Sequence, residues 1–166
     1  MNFVVRPKVP MYCLEAVPYV CALGFCNALG GALAWPYKVI CRDGSAITFI
    51  AHGACDDEGV FVRLELTSKE ALSEDALAAM RACVAAWEES LTNTNPVAGP
   101  LAPILDDYVG ALEAFGKKVE ILFSNRKASV RGTLCGIDVW GRATVQLEDG
   151  HKLEVVPSQA AIRMFH

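Results

Sequence analysis

The sequence of 166 residues is poor in the side chains that bind metals. Its seven cysteines form no Cys-x-x-Cys pair, and it has only three histidines. His52 stands three residues before Cys55, a spacing that could begin a metal site, but His151 falls in a predicted turn and His166 at the end of the chain. No four-ligand pattern emerges, so we predict no metal site. The cysteines have apolar neighbours and are predicted to be reduced residues of the core.

Positive charge is scarce in the larger part of the chain. Residues 1–114 carry 7 basic residues against 14 acidic ones, whereas residues 115–166 carry 8 against 5. Binding to nucleic acid needs clustered Lys and Arg, so we expect no such partner. The change of sign predicts a boundary between one domain at 1–114 and a second at 115–166.

The sequence also lacks a long uninterrupted apolar run. Pro18, Asn27 and several glycines break its most hydrophobic region, which therefore falls short of the roughly 20 residues of a membrane span. The N-terminus has no signal-peptide pattern. Because 53% of the residues are hydrophobic, the chain can bury a core, and we predict a cytoplasmic globular protein.

The first part reads as strands around a buried helix. We predict strands at 2–6, 35–41, 46–51 and 60–66, and a helix at 16–29 that begins near Pro18 and stops at Gly30. The Asp43-Gly44 pair predicts the turn between the second and third strands. Alternation in the last strand predicts a buried face, formed by Val60, Val62, Leu64 and Leu66.

Two helices and a set of short strands follow. Ser73 is a predicted N-cap for a helix that reaches Leu91. Its apolar residues recur three and four apart: Leu77, Met80, Val84 and Trp87. A loop at 92–103 and a helix from Pro103 to about Phe115 come next. Strands at 119–123, 128–137, 143–147, 152–156 and 161–164 predict a small barrel. The fold class is α+β, a mixed or antiparallel sheet packed with helices, followed by this small β-barrel.

The order of these elements, together with two motifs, resembles the biotin protein ligase family over nearly the whole chain. Trp35-Pro36, after the buried helix, is similar to the Trp-Pro of that family's Lys-Trp-Pro-Asn-Asp motif. The C-terminal turn resembles its Gly-Ile-Asp-x-x-Gly motif, here Gly136, Ile137, Asp138 and Gly141. The resemblance implies a partial catalytic domain followed by an SH3-like barrel. We expect Asp138 to form the turn by accepting nearby N–H groups rather than to act as a catalytic acid.

Departures from the family pattern are as informative as the matches. The family's Gly-Arg-Gly-rich loop, which holds the adenylate, has no counterpart in this sequence. Ala34 replaces the lysine before Trp-Pro, and Tyr37 and Lys38 replace the Asn-Asp pair. Aligned without gaps, Ser45 stands at the family's catalytic lysine and Thr48 at a glycine. A serine cannot supply the positive charge that stabilises the adenylation transition state.

The resemblance therefore implies a binding or regulatory module without ligase activity of its own. The alternative is one subunit of a split biotin-[carboxyl carrier protein] ligase that a partner chain completes. The predicted ligand pocket contains Trp35, Pro36, Tyr37, Lys38, Ser45 and Thr48. Biotin or biotinyl-AMP is the candidate ligand, with lipoate or no ligand left open, and no cofactor is required. We expect a homodimer or a protein partner, because uncovered sheet edges and apolar surface are commonly covered.

Overall fold

Two antiparallel sheets of five strands each, with three helices, form the architecture seen in the computed structural model, which describes residues 1–68, 72–93, 98–124 and 129–165. The fold class is α+β, as predicted. In the first half lie β1 (Asn2–Val5), α1 (Val17–Leu29), β2 (Ala32–Ala34), β3 (Lys38–Ile40), β4 (Ala46–Asp56) and β5 (Gly59–Thr67). The second half contains α2 (Glu74–Asn93), α3 (Leu105–Ala111), β6 (Lys118–Phe123), β7 (Ser129–Ile137), β8 (Ala143–Leu147), β9 (Lys152–Val155) and β10 (Ala160–Met164).

The first sheet has the strand order β1-β5-β4-β3-β2, with every neighbouring pair antiparallel. Val62, Leu64 and Leu66 of β5 are buried on one face, while Arg63 and Glu65 are exposed on the other, as the alternation predicts. Val60, also predicted on the buried face, is only half-buried. Gly44, with a φ of 79°, makes the predicted turn between β3 and β4. One face of this sheet is therefore a core face.

Helix α1 lies at the centre of the molecule. Every residue from Val17 to Cys26 is buried. Pro18 stands in its first turn, and Gly30 ends it in the left-handed conformation with a φ of 63°. A Cβ atom at Gly24 would lie 2.7 Å from the Cα of Met80 in α2, so the two helices meet backbone to backbone. Glycine is required at this crossing.

Helix α2 covers α1 with the apolar face that its sequence predicts. Leu77, Met80, Val84 and Trp87 are buried. The Oγ of Ser73 accepts a hydrogen bond from the Ala76 N–H at 3.2 Å, which confirms the predicted N-cap.

A 3-10 turn at Met11–Ala16 runs directly into α1. The turn lengthens the helix, so that the combined segment, Met11–Leu29, has 19 residues and is by length and composition alone apolar enough to cross a membrane. It is the single such segment among the residues with described structure, and 72% of its most apolar window is buried within the protein. That burial is typical of the core helix of a globular domain.

The second sheet has the order β10-β6-β7-β8-β9, again antiparallel throughout. The five predicted strands are present, and β6 pairs with both β7 and β10. Within the described ranges no ladder joins β9 to β10, so the five strands predicted as a small barrel form an open sheet. Whether five strands close into a barrel depends on the backbone pairing of the first and last strands, and the spacing of strands in a sequence does not show that pairing.

Glu120 of β6 is the one buried charged residue in the described ranges. Its carboxylate accepts hydrogen bonds from the Ser129 Oγ at 2.5 Å and from the Arg163 Nε at 2.8 Å. The Ser129 bond, followed by those from Arg163, lowers the pKa of Glu120 below its ordinary value of 4.5. This carboxylate joins β6, β7 and β10.

Three predicted elements have an end that differs from its predicted position by three residues or more. The strand at 35–41 begins only at Lys38, since Trp35-Pro36 forms a cis turn between β2 and β3 and proline has no N–H for the ladder. Strand β4 runs to Asp56 rather than residue 51, because it pairs with β5 along its full length. Helix α3 ends at Ala111, before the predicted Phe115, because Leu112 becomes extended and bridges Leu33.

The cysteine prediction was only partly correct. Cys13, Cys21 and Cys26 are buried, whereas Cys55 and Cys135 are exposed and Cys41 and Cys83 are half-buried. The two exposed thiols lie where strands leave the core, at the end of β4 and at the register shift in β7. Residues 94–97 of the predicted loop, Ala128 and His166 lie outside the described residues. The domain boundary at residue 114 stays a prediction.

Candidate functional site

A cleft of about 730 Å³ lies between the two sheets, beside the start of α1. Its volume is in the range of small-molecule sites, which often occur where two substructures meet. Both halves of the chain contribute lining residues: Leu14, Glu15, Pro18, Tyr19, Tyr37, Ala51, Gly53, Val62, Trp140, Arg142, Val156, Pro157 and Ser158.

The floor of the cleft is the part of the first sheet's core face that α1 leaves uncovered. Ala51 and Gly53 stand on β4, and Val62 pairs with Gly53 from β5. A Cβ atom at Gly53 would meet nothing nearer than the Leu14 side chain at 4.0 Å. The small residues of β4 thus leave space where larger side chains would fill it.

The carbonyl of Gly141 joins the two halves at one wall of the cleft. It accepts hydrogen bonds from the Tyr19 hydroxyl at 3.1 Å and from the Trp35 Nε1 at 2.9 Å, both buried. Gly141 has a φ of 80°, and a Cβ atom there would lie 2.5 Å from the Tyr19 ring. Only glycine fits this position, the last in the Gly-Ile-Asp-x-x-Gly motif.

Three tyrosines pack edge to face behind this wall. The Tyr19 ring centroid lies 5.2 Å from that of Tyr37 and 5.4 Å from that of Tyr108. Tyr108 donates a hydrogen bond to the carbonyl of Pro36. Burial raises the pKa of all three phenols, so they are neutral hydrogen-bonding groups near pH 7. Tyr37, half-buried, presents its side chain to the cleft.

Arg142 is the only cation among the described residues that line the cleft. Its Nε donates to the Asp138 Oδ2 at 2.6 Å, and its Nη1 lies 3.3 Å from the Glu154 Oε2. The hydrogen bond to Asp138, with the negative charge of Asp138 and then of Glu154, raises the pKa of Arg142 above its ordinary value. This guanidinium is therefore a permanent cation that two carboxylates already neutralise.

Asp138 forms its turn as the sequence predicts. Its Oδ1 accepts hydrogen bonds from the backbone N–H groups of Trp140 at 2.9 Å and Arg142 at 2.8 Å. The carboxylate therefore fixes the turn that carries both residues to the cleft.

Trp140, which lines the cleft, contacts Tyr12, and we call these two side chains together with Met11 the rim. Trp140 is 45% exposed and Tyr12 is 44% exposed, and their ring centroids lie 6.2 Å apart. Met11, next to Tyr12, is 65% exposed. The rim is thus an apolar surface that faces solvent.

The predicted pocket residues do not come together. Tyr37 alone lines the large cleft, and Trp35 is buried behind it. Ser45 lines a separate cavity of about 330 Å³ that also contains Arg42 and Ser73. Lys38 and Thr48 are exposed and line neither cavity, and Pro36 forms the turn beside Tyr37. In the described part of the chain no cluster of three potential metal ligands occurs.

Sequence reasoning missed most of the side chains that line the cleft. Tyr19 was hidden in the apolar pattern of α1, and Glu15 preceded that pattern. Trp140 and Arg142 flank Gly141, the last residue of the C-terminal motif, so the motif itself was the available signal. No sequence feature indicates that its turn lies against α1.

Solved structures of biotin protein ligase from Aquifex aeolicus share this fold. The crystal structure of that enzyme and its apo structure each match with a TM-score of 0.67 and 15% identity, over 99% of this chain and 81% of that chain. The complex with biotin and ATP matches at the same TM-score and identity, over 99% of this chain and 77% of that chain. No family model and no curated protein matches the sequence. The chain therefore has the fold of a biotin protein ligase.

Proposed function

We propose that this protein is a biotin-ligase-like binding or regulatory module that holds biotin or a biotin derivative in the cleft and has no ligase activity of its own. The observation that carries the proposal is the cleft, whose floor is small and apolar and whose one described cation is already paired. Binding needs an apolar cavity with a few polar groups, and this lining supplies both. The proposed module requires no cofactor.

We infer no catalysis because none of the residues considered offers an unpaired positive charge to the cleft. Forming an acyl-adenylate creates negative charge that preorganised cations stabilise, and removing one such stabiliser costs roughly 100- to 1,000-fold in rate. Lys38 is exposed outside the cleft, and Ser45 lines the other cavity. Arg142 is held by Asp138 and Glu154. None of these residues offers an uncompensated positive charge to a phosphate in the cleft.

Two measurements on the purified protein test this function. Calorimetric titration with biotin, and with a non-hydrolysable biotinyl-AMP analogue, is expected to show binding of at least one ligand. Biotin-dependent exchange of pyrophosphate into ATP, with Mg²⁺ present, is expected to stay at background. Exchange at a rate typical of an enzyme would make the protein a ligase, and no heat with any biotin derivative would remove the biotin-based function.

The second candidate is a subunit of a split ligase. It is supported by β1, which is an edge strand of the first sheet and pairs only with β5 in the described structure. A partner chain could add a strand there and bring the phosphate-binding loop together with a cation. Co-purification with a chain carrying only the front half of a ligase catalytic domain would test this. Restored pyrophosphate exchange is the result expected of a split enzyme.

Self-association is the partner mode that we propose. Val4 is 48% exposed and Ile50 is 56% exposed, and both lie on the outer face of the first sheet. A second copy could cover this face. Sedimentation velocity is expected to give a homodimer, and Ile50→Glu should shift it to monomer. A concentration-independent monomer would contradict this proposal without affecting ligand binding.

A further inference from the structure

We propose that the cleft selects the amide-linked form of its ligand, biotin joined through an amide as in a biotinylated lysine, over the free acid and over the adenylate. This inference rests on the proposed function and names its ligand class. It would make the protein a reader of biotin already attached to polypeptide.

The charged side chains that line the cleft, or that pair with its lining, carry a net negative charge. Arg142 lies between Asp138 and Glu154, so this group of three side chains carries a net charge of one negative unit near neutral pH. Glu15, which also lines the cleft, has no ion-pair partner within the described residues and adds a second negative charge. The lining therefore has a surplus of negative charge.

A carboxylate that enters this cleft is repelled by that surplus and must compete with two carboxylates for Arg142. An adenylate brings a phosphate and meets the same field. An amide carries no charge and escapes both effects. At partly exposed positions such charge differences change affinity by about ten-fold. The electrostatics thus favour the neutral derivative.

The uncharged polar groups of the cleft suit an amide. Tyr37 presents a phenol whose pKa burial has raised, and Ser158, from the second half of the chain, is an exposed hydroxyl that also lines the cleft. Each can donate to a carbonyl and accept from an N–H. An amide or ureido group has both a carbonyl and an N–H, so these hydroxyls can form its hydrogen bonds without a cation.

The exposed aromatic rim favours a ligand that is attached to polypeptide. Trp140 of the cleft lining and Tyr12, which it contacts, form an exposed aromatic pair, and Met11 next to Tyr12 in the sequence is also exposed. A free small molecule leaves this apolar surface in water. A lysine-linked ligand brings polypeptide to the same place, where aromatic side chains contribute strongly to binding. The rim therefore fits a conjugated ligand better than a free one.

Calorimetric titration of the wild-type protein with biotin and with biotinamide tests the inference. We expect biotinamide to bind about ten-fold more tightly, with a smaller difference at high salt because ions screen the carboxylates. Equal affinity, or tighter binding of biotin, would overturn the inference and leave the proposed function standing. If neither compound binds, the inference fails, and the proposed function fails with it only when the biotinyl-AMP analogue gives no heat either.

Matched variants test whether Arg142 and its two carboxylates cause the preference for biotinamide over biotin. Glu154→Gln releases Arg142 from one of its two carboxylates, and Glu154 is exposed enough that the fold should tolerate the change. We expect the preference for biotinamide to narrow in this variant and to persist in Glu89→Gln, an equal charge change on the outside of α2. An unchanged preference in Glu154→Gln would contradict the role of the Arg142 group.

Discussion

The Gly141 carbonyl, in the second half of the molecule, is hydrogen-bonded to two side chains of the first half. Two donors from the first half, Tyr19 and Trp35, share it. A buried carbonyl has two lone pairs, and leaving both without partners is far more unfavourable than losing one. These two hydrogen bonds join α1, the Trp-Pro turn and the C-terminal motif at one atom.

We therefore predict a non-additive double-mutant cycle at this carbonyl. Tyr19→Phe should reduce the free energy of unfolding by about 1 kcal/mol. Trp35→Phe should reduce it by about 2 kcal/mol, because it also removes buried volume. The double variant should lose at least about 1 kcal/mol more than the sum, since the carbonyl is then orphaned. Denaturant unfolding measures each value, and Trp140→Phe is the exposed control. Strict additivity would contradict the shared role of Gly141.

Glu120 predicts how stability depends on pH. Its pKa is lowered in the folded state, so folding favours the ionised form. The contribution is fully present above the unfolded pKa of about 4.5 and is lost as pH falls through the lower folded value. Glu120→Gln should be less stable than wild type at pH 7, and the two proteins should converge in strong acid. Unfolding curves from pH 7 to about pH 2 check this. A constant gap across that range would contradict it.

At the residue scale, sequence pattern was informative where the chemistry is local. Asp138 bonds N–H groups two and four residues away, so its role could be predicted from the motif. Tyr19 bonds a carbonyl 122 residues away, and no local pattern contains that information. For the same reason the cleft lining was largely missed.

At the scale of elements, helices α1 and α2 cross with their backbones in close contact. A Cβ atom at Gly24 would approach the Met80 Cα at 2.7 Å and the Cys83 Cβ at 3.1 Å. Neither atom is the end of a flexible side chain, so a methyl group can be accommodated only if the helices move apart. The buried α1 depends on this close approach.

Gly24→Ala is therefore predicted to lower the free energy of unfolding by about 3 kcal/mol, although alanine is the better helix former. Gly110→Ala in α3 is the matched control, because a Cβ atom there meets nothing within 4 Å. The control should be neutral or more stable by about 0.5 kcal/mol. Thermal unfolding followed by circular dichroism compares the two. Similar melting temperatures for both variants would show that the helices do not pack as described.

Element types could be predicted from the sequence, and element ends could not where tertiary contacts decide them. Helix α2 was predicted well, because its cap and apolar repeat are both local. Strand β4 was predicted too short, because its second half, which is small and mostly exposed, is held by pairing with β5. The end of α3 was missed, since Leu112 leaves the helix to bridge Leu33.

At the scale of the whole molecule, the cleft exists because two sheets meet beside the start of the buried helix α1. Both halves supply lining residues, and the junction brings Tyr37 into the same cleft as Trp140 and Arg142. The ligase resemblance led to the correct fold but to a scattered set of pocket residues. The resemblance rested on a turn and an element order, which specify architecture better than they specify a site.

The measurement that tests the central claim most directly is biotin titration of the wild-type protein beside Gly53→Leu. Gly53 lies on the floor of the cleft with open space above it, so leucine should fill the cleft without disturbing the sheet. We predict that the wild type binds biotin at micromolar concentration or below, and that Gly53→Leu binds at least about ten-fold more weakly while it unfolds at the same temperature. Equal binding by both proteins, or no binding by folded wild type, would contradict a biotin site in this cleft.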